Sequence, residues 1–190
     1  MTDHGTERIS MMIKEPERVT PVIHETDVLV VGSGPGGLAA ALSAARAGAS
    51  VTLLERFGCF GGNITAVGVE GFAWYRHEHT VDTEGVGIEF EARARVMGAA
   101  VEEPQSDSHA IDGEAFKWVA DTLVEEAGIT PMLHRLFAAP IMDGDTIKGV
   151  IVESKLDARR FSPNALLMPR AMRMLRTEHV PPRSNTPKRT

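Results

Sequence analysis

The chain has 190 residues and a formal net charge of −6, with 43% apolar and 24% charged residues. This is ordinary globular composition, enough for one cored domain, and it excludes collagen-like and wholly disordered chains. The single cysteine, Cys59, excludes a disulfide scaffold, a cysteine-based zinc site and a 4Fe–4S cluster ligated by this chain alone.

In chain order, residues 1–23 carry no hydrophobic period and read as a flexible leader. The start is polar and charged, without a secretory hydrophobic region, and no run reaches the roughly 18–20 apolar residues of a membrane span. The expected compartment is therefore the cytoplasm. Asp27-Val28-Leu29-Val30-Val31 is a continuous β-branched run of the kind that forms a parallel strand buried on both faces. A glycine cluster, Gly32 to Gly37, leads into the Ala-rich stretch Leu38 to Ala47, a strong helix former that Gly48 should end. Ala49 to Leu54 reads as a second strand, closed by Glu55.

Residues 56–111 are less regular, with a helix expected from about Gly87 to Met97. Asp112 is placed to cap a helix running to Ala127, whose Phe116, Val119, Ala120, Leu123 and Ala127 recur at three- and four-residue spacing. Met132 to Leu136 is expected to be a strand. Ala138 to Met142 and Thr146 to Glu153 then flank Asp143-Gly144-Asp145 as a β-hairpin.

Gly32-Ser33-Gly34-Pro35-Gly36-Gly37 satisfies G-x-G-x-x-G between a strand and a helix, with the acid Glu55 ending the next strand. Gly32 allows the tight turn, Gly34 lets a pyrophosphate approach the backbone, and Gly37 lets the helix pack on the strand. The free N–H groups at the helix start and the helix dipole receive the anion. Glu55 would accept hydrogen bonds from ribose hydroxyls, and its charge disfavours a 2′-phosphate, so NADP is not expected. By this logic alone both FAD and NAD remain open.

Beyond the acid, Glu55-Arg56-Phe57-Gly58-Cys59-Phe60-Gly61-Gly62-Asn63 resembles the corresponding segment of FAD-dependent oxidoreductases with the glutathione-reductase-like fold. More narrowly, the chain resembles the FAD-dependent oxidoreductase family related to the flavin-binding component of heterodisulfide reductase. The likeness runs from Glu15-Pro16 through Val22-Ile23-His24-Glu25-Thr26-Asp27, the glycine turn and Gly61-Gly62. It resumes at Ile111-Asp112-Gly113-Glu114-Ala115-Phe116 and reaches Gly149-Val150-Ile151-Val152-Glu153-Ser154-Lys155. It implies an α/β, Rossmann-like FAD/NAD(P)-binding domain, incomplete, with an insertion and a β-hairpin of the meander type. It also implies FAD as cofactor and an enzyme moving hydride between a substrate and the flavin. Gly32, Ser33, Gly34, Pro35, Gly36 and Gly37 would then hold the pyrophosphate and Glu55 the ribose. Arg56, Gly61 and Gly62 would line the next stretch, and Phe137 would lie against adenine. Some relatives carry 4Fe–4S clusters, which one cysteine does not support.

The remaining polar residues give no catalytic acid or base. Cys59 lacks a second thiol for a redox disulfide and is read as an ordinary, partly buried cysteine. His77 and His79 form an H-x-H without an evident third ligand, so no metal is expected. Trp74 and Tyr75 are read as packing aromatics and His134 as structural. The acidic body gives no reason to expect nucleic acid, and neither a membrane nor a specific small-molecule substrate can be read.

Residues 156–190 contain eight Lys and Arg against two acids, a net of +6, leaving −12 for residues 1–155. The body is taken as 24–155, the N-terminal part of an FAD domain. The tail is taken as basic, Pro/Arg-rich, non-native and disordered. Arg160 to Leu175 can be back-translated so that a reading two nucleotides later gives Ile-Leu-Ala-Lys-Arg-Val-Ile-Asp-Ala-Thr-Gly-Asp-Ala-Asp. That sequence contains the segment that the resembled family carries after its meander, so the tail is read as frameshift-like. On this reading the returning strand is missing and the chain is a fragment, with a catalytically silent dinucleotide binder or an NAD-binding fragment as the alternatives.

Overall fold

A computed structural model describes residues 17, 19–71, 76–77, 80–81, 84–104, 108–155 and 165–169. Strand β1 (Val22–Thr26) is followed by β2 (Val28–Val31), helix α1 (Pro35–Arg46) and β3 (Val51–Leu54). A π-helical turn, Asn63–Val67, comes next, and β4 (Arg76–His77) and β5 (Thr80–Val81) form a minimal antiparallel pair. Helix α2 (Val86–Val96) precedes the antiparallel pair β6 (Ala100–Glu103) and β7 (Ser108–Ile111). Helix α3 (Gly113–Glu126), β8 (Thr130–Met132), β9 (Arg135–Asp143), β10 (Thr146–Ser154) and β11 (Ala165–Pro169) complete the order.

The β-branched run at 28–31 becomes the edge of a parallel three-stranded sheet ordered β2-β3-β8, with Val28 opposite Val51 and Thr52 opposite Thr130. Successive side chains along a strand point to opposite faces. Val28, Val30, Val51 and Leu53 accordingly face the helices, packing with Leu38, Leu42, Phe90, Phe116 and Leu123. Leu29, Leu54 and Met132 face the other way and pack with Val150 and Val152 of β10. This packing on both faces accounts for the unbroken apolar run of β2. The result is three layers: helices, parallel sheet, antiparallel sheet.

The helices form where the Ala-rich and 3–4-spaced stretches predicted them. Asp112 caps α3, its Oδ1 accepting from the N–H groups of Glu114 at 2.8 Å and Ala115 at 3.0 Å. Phe116, Val119, Ala120 and Leu123 are buried on one stripe, and Phe116 meets Phe90 of α2 edge to face at 5.6 Å. Among the described residues no helix is long and apolar enough to cross a membrane.

Three expectations are corrected. First, a strand starts at Val22, inside the segment read as leader, because β1 has a partner to pair with. Second, the run Met132 to Leu136 is not one strand. β8 ends at Met132, and His134 turns the chain with a φ of 55° before β9 begins. Histidine is among the residues that tolerate this left-handed conformation. Third, the tail is not without structure throughout. Ala165–Pro169 runs parallel to β1 and antiparallel to β10, giving the sheet order β1-β11-β10-β9. An apolar Ala-Leu-Leu-Met segment can fill the gap between two strand edges, and its ladder satisfies backbone groups on both sides. Pro169 ends the strand, where a missing N–H is tolerated. The rest of the tail, most of the leader, and Trp74, Tyr75 and His79 lie outside the described residues.

Candidate functional site

At the carboxyl ends of β2 and β3 the chain leaves a cleft of about 390 Å³. Its floor is the glycine turn. Gly32, with φ 94°, donates its N–H to the Leu54 carbonyl at 2.8 Å and so starts the turn from a fixed point on the sheet. A Cβ on Gly34 or Gly36 would meet nothing within 4 Å. Side chains there would stand in open space, which is the room a phosphate needs. A Cβ on Gly37 would lie 1.9 Å from the Gly32 carbonyl oxygen. Gly37 is therefore glycine so that α1 can rest on the strand that precedes it.

Helix α1 starts on this floor. Its N-cap is Gly34, with no side-chain cap, and its first turn holds no acidic residue. The first N–H groups of a helix have no intrahelical partner. With Pro35 giving up no N–H and no carboxylate competing, the positive helix end is left for an anionic ligand.

Glu55 stands at the side of the cleft and is almost wholly buried. Its Oε2 accepts the Ser33 N–H at 2.8 Å and the Ser33 hydroxyl at 2.6 Å, and its Oε1 accepts the Phe57 N–H at 2.9 Å. Burial pushes this carboxyl up. The Ser33 hydroxyl and the N–H groups of Phe57, Ser33 and Arg56 outweigh it, and the group is held below the usual carboxylate range. It is a charged acceptor at neutral pH.

Two loops close the walls. Gly61 donates its N–H to the Ser33 carbonyl at 3.0 Å. A Cβ on Gly62 would lie 2.6 Å from the Gly34 Cα, so the Gly-Gly pair touches the glycine turn backbone to backbone. Gly62 and Asn63 then line the cleft, as does Val67 from the π-helical turn. On the other side the acid's loop is tied to the β8–β9 turn. Glu55 N–H donates to the Met132 carbonyl, Arg135 N–H to the Glu55 carbonyl and His134 N–H to the Phe57 carbonyl, at 2.9, 2.9 and 3.0 Å. A Cβ on Gly58 would meet the His134 ring at 2.7 Å, so glycine there leaves the ring room where it lies. It brings Arg135, Leu136 and Phe137 to the cleft.

Of the residues expected from sequence, Gly32, Ser33, Gly34, Pro35, Gly36, Glu55, Arg56, Gly62 and Phe137 line one cleft. Gly37 and Gly61 do not reach its wall, since they pack the turn from behind. Ser33 is fully buried and gives both donors to Glu55, so it has neither to offer a phosphate. Val31, Leu54, Phe57, Asn63, Val67, Arg135 and Leu136 also line the cleft and were not anticipated. Val31 and Leu54 could have been found as the last residues of their strands. Nothing in the sequence marks the π-helical turn. Arg56 stacks its guanidinium over the Phe57 ring at 4.5 Å. Cys59 is a half-buried free thiol, 3.8 Å from the Thr65 hydroxyl.

The open glycine floor, the uncapped helix start and a buried ionised acid fit an anionic dinucleotide bearing a ribose. Comparison with known proteins agrees. Digoxin reductase of Eggerthella lenta is 35% identical over a 117-residue alignment that covers 57% of this chain and 20% of that protein. Thiamine thiazole synthase of Metallosphaera sedula is 30% identical over 125 residues, 66% of this chain and 39% of that one. The chain thus spans well under half of either relative. Among solved structures, THI4 of Thermovibrio ammonificans superposes with a TM-score of 0.56 at 19% identity, covering 76% of this chain and 55% of its own, a likeness of fold. The model of the FAD dependent oxidoreductase family matches residues 27–166, and the chain belongs to that family.

Proposed function

We propose that the cleft holds the ADP half of FAD and that the chain takes part in hydride transfer between the flavin and a small-molecule substrate. FAD, when bound, supplies the two-electron chemistry. The chain's own part is to bind, orient and tune. Gly34 and Gly36 leave the floor open to the pyrophosphate, and the start of α1 offers N–H donors. Glu55 accepts from the ribose, Phe137 lies at the adenine end, and Arg56 and Gly62 flank the path between. No side chain here is assigned to proton transfer.

The observation that carries this reading is the pairing of an open glycine floor with a buried, ionised Glu55 in one cleft. The test is the visible spectrum of the purified full chain. Flavin bands near roughly 370 and 450 nm are expected after incubation with FAD and desalting. Gly34→Val should weaken FAD and ADP binding by at least roughly 100-fold, with only the smaller loss of melting temperature that a poorer helix cap brings, because its Cβ enters open space rather than the core. A protein that stays colourless yet binds ADP would favour a silent adenine-nucleotide binder. One that binds NAD in preference to FAD would favour the nicotinamide reading.

A further inference from the structure

We infer that Ser33 is a positioning residue that acts through Glu55 to set the cleft's preference for a ribose with a free 2′-hydroxyl. The inference rests on the ADP-half reading above. In a G-x-G turn the middle residue is chemically unconstrained, and its side chain has no required direction. Here it turns onto Glu55. Ser33 is 0% exposed, and its hydroxyl lies 2.6 Å from Glu55 Oε2, which also takes the Ser33 N–H at 2.8 Å. The Ser33 carbonyl meanwhile accepts the Gly61 N–H at 3.0 Å. One residue thus joins the glycine turn, the acid and the Gly-Gly loop.

The consequence concerns the acid's two oxygens. A carboxylate offers about four acceptor positions. Two donors from Ser33 occupy Oε2 and fix the carboxylate plane. A ligand hydroxyl therefore meets Oε1, beside the Phe57 N–H at 2.9 Å. That edge welcomes a donating hydroxyl and repels a phosphate. Without the Ser33 hydroxyl, Oε2 loses its shortest bond inside a dry pocket, and the carboxylate can rotate off the ribose. Charge-assisted bonds of this length are the stronger kind, so the loss is felt.

The test compares ADP with 2′-deoxy-ADP by titration calorimetry on the full chain. Wild-type protein should prefer ADP, and Ser33→Ala should lower ADP affinity about tenfold and 2′-deoxy-ADP affinity by clearly less, narrowing the preference. Ser33→Thr, which keeps a hydroxyl, should restore the preference. In a Glu55→Gln background Ser33→Ala should change neither affinity, because the residue acts through the carboxylate. Equal weakening of both nucleotides, or a loss that persists beside Glu55→Gln, would mark Ser33 as merely structural and overturn the inference. Should Ser33→Ala fold poorly, Ser33→Cys keeps the side chain's shape with a much weaker donor, and a fully kept preference for ADP there overturns it equally. If wild-type protein binds neither FAD nor ADP, the cofactor reading falls and takes this with it. If it binds both and Ser33→Ala keeps its preference, only this inference falls.

Discussion

Among the described residues two carboxylates are almost wholly buried, Glu55 in the cleft and Glu91 on α2, and their surroundings drive them in opposite directions. Burial pushes both carboxyls up. At Glu55 the donors win and the group is held below its ordinary range. At Glu91 burial prevails over the pull of His109 and Arg95, and the carboxyl is held above it. His109 Nδ1 stands 3.1 Å from Glu91 Oε1, and its pull on the charged form is smaller than the cost of burial. The difference lies in which donors reach the acid, the Ser33 hydroxyl first and turn N–H groups after it. Glu55 follows a strand end, where the chain turns and the N–H groups of Ser33 and Phe57 can converge on it. Glu91 sits within a helix, where the N–H groups are already bonded to carbonyls four residues back. Glu55 is kept charged by the Ser33 hydroxyl together with backbone donors that the turn frees at the strand's carboxyl end.

Four substitutions can break or sharpen this contrast. The largest effect is expected from Gly37→Ala. Its Cβ would strike the Gly32 carbonyl at 1.9 Å and displace the turn that delivers the Ser33 donors. A loss of about 3 kcal/mol or more is expected in urea unfolding, and an unaltered midpoint would show that the turn has slack. Glu55→Gln should cost about 2 kcal/mol at pH 7, since it weakens three bonds to a charged acceptor. The sign follows from the lowered carboxyl. The native state sheds its proton at lower pH than the unfolded chain does. The stability gain is therefore complete above the unfolded value of about 4.3 and disappears as pH falls through the native one. The gap between wild type and Glu55→Gln should close over that interval.

Asp112→Ala should cost about 1 kcal/mol. Asp112 also accepts two backbone N–H groups, but it does so in water at the start of α3. The comparison with Glu55 then separates donor number from burial. Glu91→Gln should have the smallest effect, within about 0.5 kcal/mol of wild type near pH 4. Because the Glu91 carboxyl is raised, the native state keeps its proton longer than the unfolded chain. Its contribution falls as pH rises above about 4.3 towards the native value, so the glutamine variant should gain relative to wild type over that interval. Thermal melts across that range check the sign, and a variant that loses ground with rising pH would contradict it.

Much of the site was legible because its signals are local. The turn, helix and acid occur within 24 residues, from Gly32 to Glu55, and Gly32 and Gly37 match steric demands of the strand–turn–helix unit. The family resemblance grouped Ser33 and Gly37 with the residues expected to hold the pyrophosphate, although the turn pattern alone gave Gly37 a packing role. The structure turns Ser33 onto Glu55 and places Gly37 behind the turn, because a linear motif does not state which side of the backbone a group occupies. Arg135 and Leu136 went unread for another reason. They reach the cleft only because His134 turns the chain, and that turn is held by bonds to Glu55 and Phe57, about 80 residues away. The strand at Ala165–Pro169 was hidden because its charged, proline-rich setting outweighs five residues whose only cue is an open place between β1 and β10.

The sequence by itself determined the parallel strands, the open glycine floor, the ionisable acid at the second strand's end and the resemblance to FAD-dependent oxidoreductases. These depend on steric and periodic requirements that act over a few residues. Only the tertiary structure decided which groups face the cleft, how Glu55 stays charged while buried, and that part of the tail completes a sheet. Those outcomes depend on donors and strand edges contributed from distant parts of the chain, and no local pattern records where such partners will meet.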